Sequence, residues 1–294
     1  MGFAFHQPDS VASAIDLAHR YGDAARFIAG GTDLIIQINR KRLTPQHVIS
    51  LGGLGLDDIR ETSGEITIGA TTTHNDIVFH PGFQHQLVAL AEASAVVGGR
   101  QIRHVATVGG NIVNASPAAD LVPALLVLDA VVDLQGPAQA RSLPLDRFLL
   151  DRGRTDRQVD EVLTAVRFAR PPMQSATAFL KAGRRKAMEI SVVCVAAHLV
   201  GGPGTGFSKV RIAVGAAAPR TFRATGAEAL VGARGDDGTS FAEAGRLAAE
   251  AAVPIGDVRA SARYRKLLVA ALVERALAAC RDRMRGAGAQ GAAA

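Results

Sequence analysis

Thr107-Val108-Gly109-Gly110-Asn111-Ile112-Val113-Asn114-Ala115-Ser116-Pro117-Ala118-Ala119-Asp120-Leu121-Val122-Pro123 is the stretch that sets the character of this chain. Gly109 and Gly110 can reach dihedral angles closed to other residues, and they let a ligand touch the main chain. Thr107, Asn111, Asn114 and Ser116 add small hydroxyl and amide groups, and Asp120 is the single charge. Such a run can wrap a polyhydroxylated, phosphorylated ligand with backbone amides. Taken alone it is equally a Gly-Pro-Asn loop between strands.

A second glycine pair lies upstream, in Ala29-Gly30-Gly31-Thr32-Asp33-Leu34. A short strand over residues 26–29 runs into the pair, and a helix is expected to restart at residue 32. That order gathers free amides and the positive end of a helix at one point, where a pyrophosphate could sit without a lysine. Thr32 can cap the helix, while the charge of Asp33 must point away from a phosphate. No Gly-Lys-Ser/Thr follows, and the spacing is not that of a GxGxxG dinucleotide fingerprint. By itself the turn is also an ordinary strand-to-helix connection. Gly202-Pro203-Gly204-Thr205-Gly206, between two strand-like runs, reads as a hairpin loop.

Around these turns the periodicities divide the chain. Residues 3–8 read as a first strand. Ser10 caps a helix with Val11, Ala14, Ile15 and Ala18 on one face, closing near Gly22. Residues 32–40 form a helix with Leu34, Ile35 and Ile38 inward, and residues 47–51 a further strand, so the first fifty residues make a β-α-β-α-β unit. Strands follow at 65–70, 130–135 and 161–168, with helices at 86–97 and 121–128. Pro171-Pro172 marks the domain boundary. Beyond it come three strands (176–180, 191–200, 210–215), three helices (225–231, 241–252, 261–283) and a Gly/Ala-rich tail at 286–294, expected to be mobile.

Composition narrows the function. The chain has 294 residues, long enough for two domains, and with 48% of them hydrophobic and 20% charged it reads as a globular protein rather than a disordered chain. The net charge of +6 comes from Arg scattered among acids, with aromatics at 4%, so a nucleic-acid surface is not expected. Basic clusters at residues 100–103 and 184–186 suit phosphates or an acidic partner. No apolar run is long enough to span a membrane, and the N-terminus lacks a basic start and apolar signal core. The cytoplasm is the expected compartment. Cys194 and Cys280 have neither zinc nor iron–sulfur spacing and sit in apolar surroundings, so both should be buried thiols. His74, His80 and His85 do not share a helical face, and no metal site or catalytic acid–base set emerges.

Several motifs in order resemble one family, the FAD-binding medium subunit of the molybdenum hydroxylases (the xanthine dehydrogenase and carbon monoxide dehydrogenase group). The turn at residues 29–34 looks like that family's first flavin loop. Gln101-Ile102-Arg103, then Thr107-Val108-Gly109-Gly110-Asn111 and Ala115-Ser116-Pro117-Ala118-Ala119-Asp120, look like its second. Further markers are Asp160-Glu161-Val162-Leu163, Phe179-Leu180-Lys181, Arg211-Ile212-Ala213-Val214-Gly215 and Arg259-Ala260-Ser261-Ala262-Arg263-Tyr264-Arg265.

The resemblance implies an α+β chain. A two-subdomain FAD-binding module of the vanillyl-alcohol-oxidase (PCMH) type would occupy residues 1–170, with subdomains at about 1–55 and 56–170. A C-terminal domain at 174–285 would carry a three-stranded antiparallel sheet packed with helices. The implied FAD contacts are Ala29, Gly30, Gly31, Thr32, Asp33, Leu34, Ile35 and Ile36 in the first loop, and Thr107, Val108, Gly109, Gly110 and Asn111 in the second. Val97, Asp120, Leu163, Lys181 and Ile190 stand at further positions that touch or approach FAD in relatives. Asp120 would accept hydrogen bonds from flavin-side hydroxyls or nearby amides, and a cation at Lys181 would raise the flavin potential. The implied function is electron transfer, from the 2Fe-2S clusters of a small subunit through FAD to NAD+, oxygen or another acceptor. A large molybdenum-pterin (molybdopterin) subunit would oxidise the substrate, and the assembly would be a dimer of heterotrimers. Thr32-Asp33 and the Gly-Gly-Asn of the second loop lean toward the xanthine dehydrogenase side. The alternative is a stand-alone FAD-dependent oxidoreductase of the same superfold.

Overall fold

The computed structural model describes residues 2–185, 188–202 and 206–291. The hairpin loop read at 202–206 falls partly outside them, as does Lys186 of the second basic cluster. The chain forms two compact units, each built from separated segments. The first takes Met1–Asp76, Arg100–Ala115 and Ala130–Arg170, and the second Ile77–Gly99, Ser116–Asp129 and Pro171–Ala294. Pro171 is thus the last of several crossings, not the only one.

In the first unit, Ser10 accepts a hydrogen bond from the Ser13 amide at 3.1 Å and opens the helix Val11–Tyr21. Gly22, at φ +49°, closes it. Ala14 and Ala18 pack with Ala25 and Ile49 against a parallel sheet in which His47–Ser50 lies between Ala4–His6 and Ala25–Ile28. A second, antiparallel sheet runs Ile59–Glu61, Glu65–Gly69, Val162–Ala169, Val131–Gln135, Ala140–Pro144. Alternate residues Ile66, Ile68, Val132, Leu134, Val166 and Phe168 are buried, as the two-residue period of a strand requires.

In the second unit the sheet has four antiparallel strands, not the expected three: Ser175–Ala182, Val193–Gly201, Phe207–Gly215 and Phe222–Arg223. The fourth pairs Ala213 with Arg223 and Val214 with Phe222. Residues 193–200 are buried without a break, so this strand is covered on both faces. The helices Leu121–Leu126 and Ala262–Gly291 both pack on it. That double cover explains its nearly unbroken apolar run. The C-terminal helix continues to Gly291, past the start of the expected tail, and residues 292–294 lie outside the described residues. Among the described residues no helix is long and apolar enough to cross a membrane.

Candidate functional site

The predicted site residues fall into two groups, one in each unit. In the first unit the two glycine turns meet. A Cβ on Gly30 would collide with the carbonyl oxygen of Val105, just ahead of the second turn. A Cβ on Gly109 would stand 2.7 Å from the Ala70 carbonyl oxygen and 2.8 Å from the Ala70 methyl. Only glycine permits either approach. The second turn is laid against residues 70–74 by backbone bonds: Gly109 N to Ala70 O (2.7 Å), Val108 N to Thr72 O (2.9 Å) and His74 N to Ala106 O (3.0 Å). Ala70 N in turn donates to Thr164 O, beside the buried Leu163. Leu163 therefore joins this group through the backbone, with its side chain in the core.

The geometry revises the expected chemistry of these turns. The amides of Gly109, Gly110 and Asn111 are already bonded, to Ala70 O, Thr107 Oγ1 and Thr107 O. What the second turn offers is close backbone approach rather than three open donors. The helix after the first turn is Leu34–Asn39, so the residue at its cap is Asp33 and not Thr32. The Asp33 carboxylate is taken by the Gln37 amide one turn on. Ile35 does not point inward: it is 36% exposed, beside Ile36 at 46%. Ile102 and Val105 are exposed as well. Four large apolar side chains thus crowd the surface around two glycine turns, and the buried Oδ1 of Asn111 has no partner among the described residues. A buried acceptor left unmet costs about 1–3 kcal/mol. A ligand with hydroxyl or amide donors and flat apolar surface would satisfy both features, and FAD is of that kind.

His74 lies fully buried under the second turn. Burial, with the Arg103 charge as a smaller cause, pushes its pKa down to about 4, so at neutral pH it is an uncharged packing group. Among the described residues no cluster of three or more His, Cys, Asp or Glu side chains could hold a metal ion.

The second group is charged. Asp120, 6% exposed, accepts from Lys181 Nζ at 2.7 Å and from Ser191 Oγ at 2.5 Å. Lys181 also donates to the Val96 carbonyl at 3.1 Å, next to Val97. Ile190, 63% exposed, precedes Ser191. Val97, Asp120, Lys181 and Ile190 are therefore linked within the second unit. Both Asp120 oxygens are engaged by the protein itself, and Lys181 is neutralised by its partner. Burial raises the Asp120 pKa, and the Lys181 charge and the Ser191 hydroxyl pull against it. Cys194 and Cys280 are free and buried, their thiol pKa values pushed up by desolvation. Ser191 carries no signal of its own in the sequence, although it adjoins Ile190. Val105 carried no signal, because its part is played by a carbonyl oxygen.

The chain matches two family models in sequence order. Residues 1–171 match the FAD binding domain in molybdopterin dehydrogenase, and residues 178–280 match the CO dehydrogenase flavoprotein C-terminal domain. These define an FAD-binding oxidoreductase component. A putative xanthine dehydrogenase FAD-binding subunit of Escherichia coli is 34% identical over 76% of this chain and 77% of its own length. The carbon monoxide dehydrogenase medium chain of Hydrogenophaga pseudoflava is 30% identical over 94% of this chain and 96% of its own. The solved structure of the Hydrogenophaga pseudoflava carbon monoxide dehydrogenase superposes with a TM-score of 0.93 at 30% identity, covering 96% of this chain and 98% of that one. The chain belongs to the FAD-binding subunits of the molybdenum hydroxylase family, the xanthine and carbon monoxide dehydrogenase group.

Proposed function

We propose that the chain is the FAD-carrying electron-transfer subunit of a molybdenum hydroxylase. Its partners would be a small subunit with 2Fe-2S clusters and a large molybdenum-pterin subunit, in a dimer of heterotrimers. NAD+, oxygen or another acceptor would take the electrons. The observation that carries this reading is the meeting of the glycine turns at Gly30 and Val105, with the Asn111 acceptor left unsatisfied beside them. In this reading residues 1–170 act as the FAD-binding domain, of the PCMH type, and residues 174–285 as the C-terminal domain. The Thr32-Asp33 and Gly-Gly-Asn signatures favour a xanthine dehydrogenase-like complex.

Bound FAD supplies the exchange between one-electron and two-electron carriers. The chain's residues hold and shield it. Gly30, Gly31 and Gly109 allow the main chain to come close, Asn111 Oδ1 accepts from the ligand, and Ile35 and Ile36 cover apolar surface. Asp120 and Lys181 form a neutral pair, so Lys181 contributes a fixed dipole more than a free charge. The test is FAD titration of the full chain, followed by affinity purification from the native host. One FAD per chain with co-purifying iron–sulfur and molybdenum subunits is the expected result. A chain that binds FAD but purifies alone, reducible by a small molecule, would replace it with the stand-alone oxidoreductase.

A further inference from the structure

Between Val253 and Leu267 the second unit puts five large apolar side chains into solvent. Val258 is 94% exposed and Leu267 60%, and Val253, Ile255 and Tyr264 are each more than half exposed. Single exposed apolar residues are ordinary, but a contiguous set rimmed by charge marks an interaction surface. These five are contiguous. Tyr264 and Leu267 stand three apart near the start of the helix Ala262–Gly291, on the side away from its buried Val269, Leu272 and Val273. The loop carrying Val253, Ile255 and Val258 folds back on that start. A Cβ on Gly256 would lie 3.7 Å from the Ala262 amide nitrogen, and the Asp257 amide donates to Ala260 O at 3.1 Å.

The loop is braced from beneath. Arg265 is the largest fully buried side chain among the described residues. It donates to Val192 O at 2.7 Å, to Ala216 O at 2.9 Å and to Asp257 Oδ1 at 2.8 Å. Asp257 also receives the Arg259 amide at 2.9 Å and the Arg259 guanidinium at 2.6 Å, and Arg259 Nη1 donates to Ser191 O at 3.2 Å. Arg184 Nη1 reaches the Val258 carbonyl at 3.3 Å. Burying a guanidinium is costly, and an apolar side chain could fill the same volume more cheaply. What the arginine adds is geometry, since its planar fork holds acceptors at fixed angles. Through Asp257 that geometry is passed to the exposed loop, and a surface held in shape before contact loses little entropy on docking.

Charge selects the occupant. Between residues 253 and 267 Asp257 is the only acid, against Arg259, Arg263, Arg265 and Lys266. Its carboxylate is already engaged by Arg259 and Arg265. Arg263 and Lys266 are exposed beside Tyr264 and Leu267, and Arg184 is exposed beside Val258. A second copy of the chain would set these cations against one another, whereas a surface bearing carboxylates would meet them. A lipid surface takes apolar groups that can sink into it, and a pinned turn suits instead a partner of fixed shape.

We propose that this face docks another protein subunit, whose contact surface is apolar at its centre and lined with carboxylates at its rim. This rests on the reading of the chain as one subunit of a complex, and not on FAD. The test is affinity purification of the full chain from its native host, followed by a carbodiimide, which joins amines to carboxylates in direct contact, and by peptide mapping. The purification is repeated with Leu267→Glu and Val258→Glu, both at solvent-exposed positions, with melting temperature and bound FAD measured to check folding. The expected result is Lys266 joined to an Asp or Glu of a co-purifying subunit, with recovery of that subunit lower by about tenfold or more in both variants. If one variant does not fold, the other decides. A wild-type complex in which Lys266 is joined to no carboxylate of a partner, or from which a folded variant keeps the subunit at wild-type recovery, overturns the proposal. So does a link from Lys266 only to another copy of the chain, or flotation of the wild-type chain with phosphatidylserine vesicles. A wild-type chain that purifies alone would instead overturn the subunit reading, and this inference with it.

Discussion

The glycine turns of the first unit and the Asp120 cluster of the second achieve precision by opposite means. The turns are positioned by backbone touching backbone, with no ion pair at Gly30, Val105, Gly109 or Ala70. The cluster is positioned by charge, with Lys181, Ser191, Arg259 and Arg265 converging on the Asp120 and Asp257 carboxylates and on four backbone carbonyls. The first arrangement tolerates no added atom but is indifferent to charge. The second tolerates changes of shape but not an unpaired ion.

The sharpest way to break this contrast is Asp120→Ala, which leaves Lys181 buried without its counter-ion. Removing one partner of a buried pair costs about 3–5 kcal/mol, whereas neutralising both with isosteric groups can be nearly neutral. Denaturant unfolding should therefore show a large loss in Asp120→Ala and recovery toward wild type in Asp120→Asn/Lys181→Met. Equal losses in the two would mean that the pair is not the unit of stability.

Acid should separate the two regions next. Both contain a buried neutral histidine with its pKa pushed down to about 4: His74 in the first unit, and His198, bonded to Val127 O at 3.2 Å, in the second. A lowered folded pKa gives stability that is present above the ordinary value of 6.5 and lost as pH falls toward 4. Each histidine should cost about 2 kcal/mol by pH 5. Asp120 works in the other sense, because its raised pKa gives stability at low pH that is lost as pH rises. The first unit should then be the more acid-labile. Hydrogen exchange at pH 7 and pH 5 would show this as greater loss of protection around residues 65–74 than around 193–200. Equal loss would remove the distinction.

The last contrast is steric. Gly30→Ala should destabilise by about 1–3 kcal/mol, because the methyl must push the Val105 carbonyl away. Calorimetry of this variant at low and high salt should give the same difference. A salt-dependent difference would show that the turns are held by charge after all.

Much of this was legible in the sequence. The glycine pairs, the β-α-β-α-β start and the strands at 65–69, 131–135 and 162–169 have apolar periods or turn residues that declare them. The strand Phe222–Arg223 is too short for any alternation to register, so the sequence pattern shows only the other three strands of the C-terminal sheet. Ala140–Pro144 sits at a sheet edge and has no buried residue, so its pattern carries no apolar signal. At the site, residue types showed which side chains gather but not which atoms are already used. That the Gly109 and Gly110 amides are bonded internally, and that Asp120 is saturated by Lys181 and Ser191, are facts of pairing that no spacing encodes. Arg265 stood inside a recognisable motif, yet nothing in the string distinguishes a buried guanidinium from an exposed one.

The interleaving of the two units also bears on how the chain is made. The helix Val88–Ala95 lies wholly within the second unit, where its Ala89 amide is bonded to Thr177 Oγ1 and its Glu92 to the Phe179 amide. Its partners are encoded nearly ninety residues later. At a synthesis rate of about 5–20 residues per second, the segment waits roughly 4–20 s on the ribosome before the strand that receives it exists. Eight residues do not hold a helix alone, and Leu90, Ala91 and Ala93 would spend that interval in water. A nascent chain halted near Pro171 would therefore present unpaired apolar surface, making this crossing point a poor place for translation to pause.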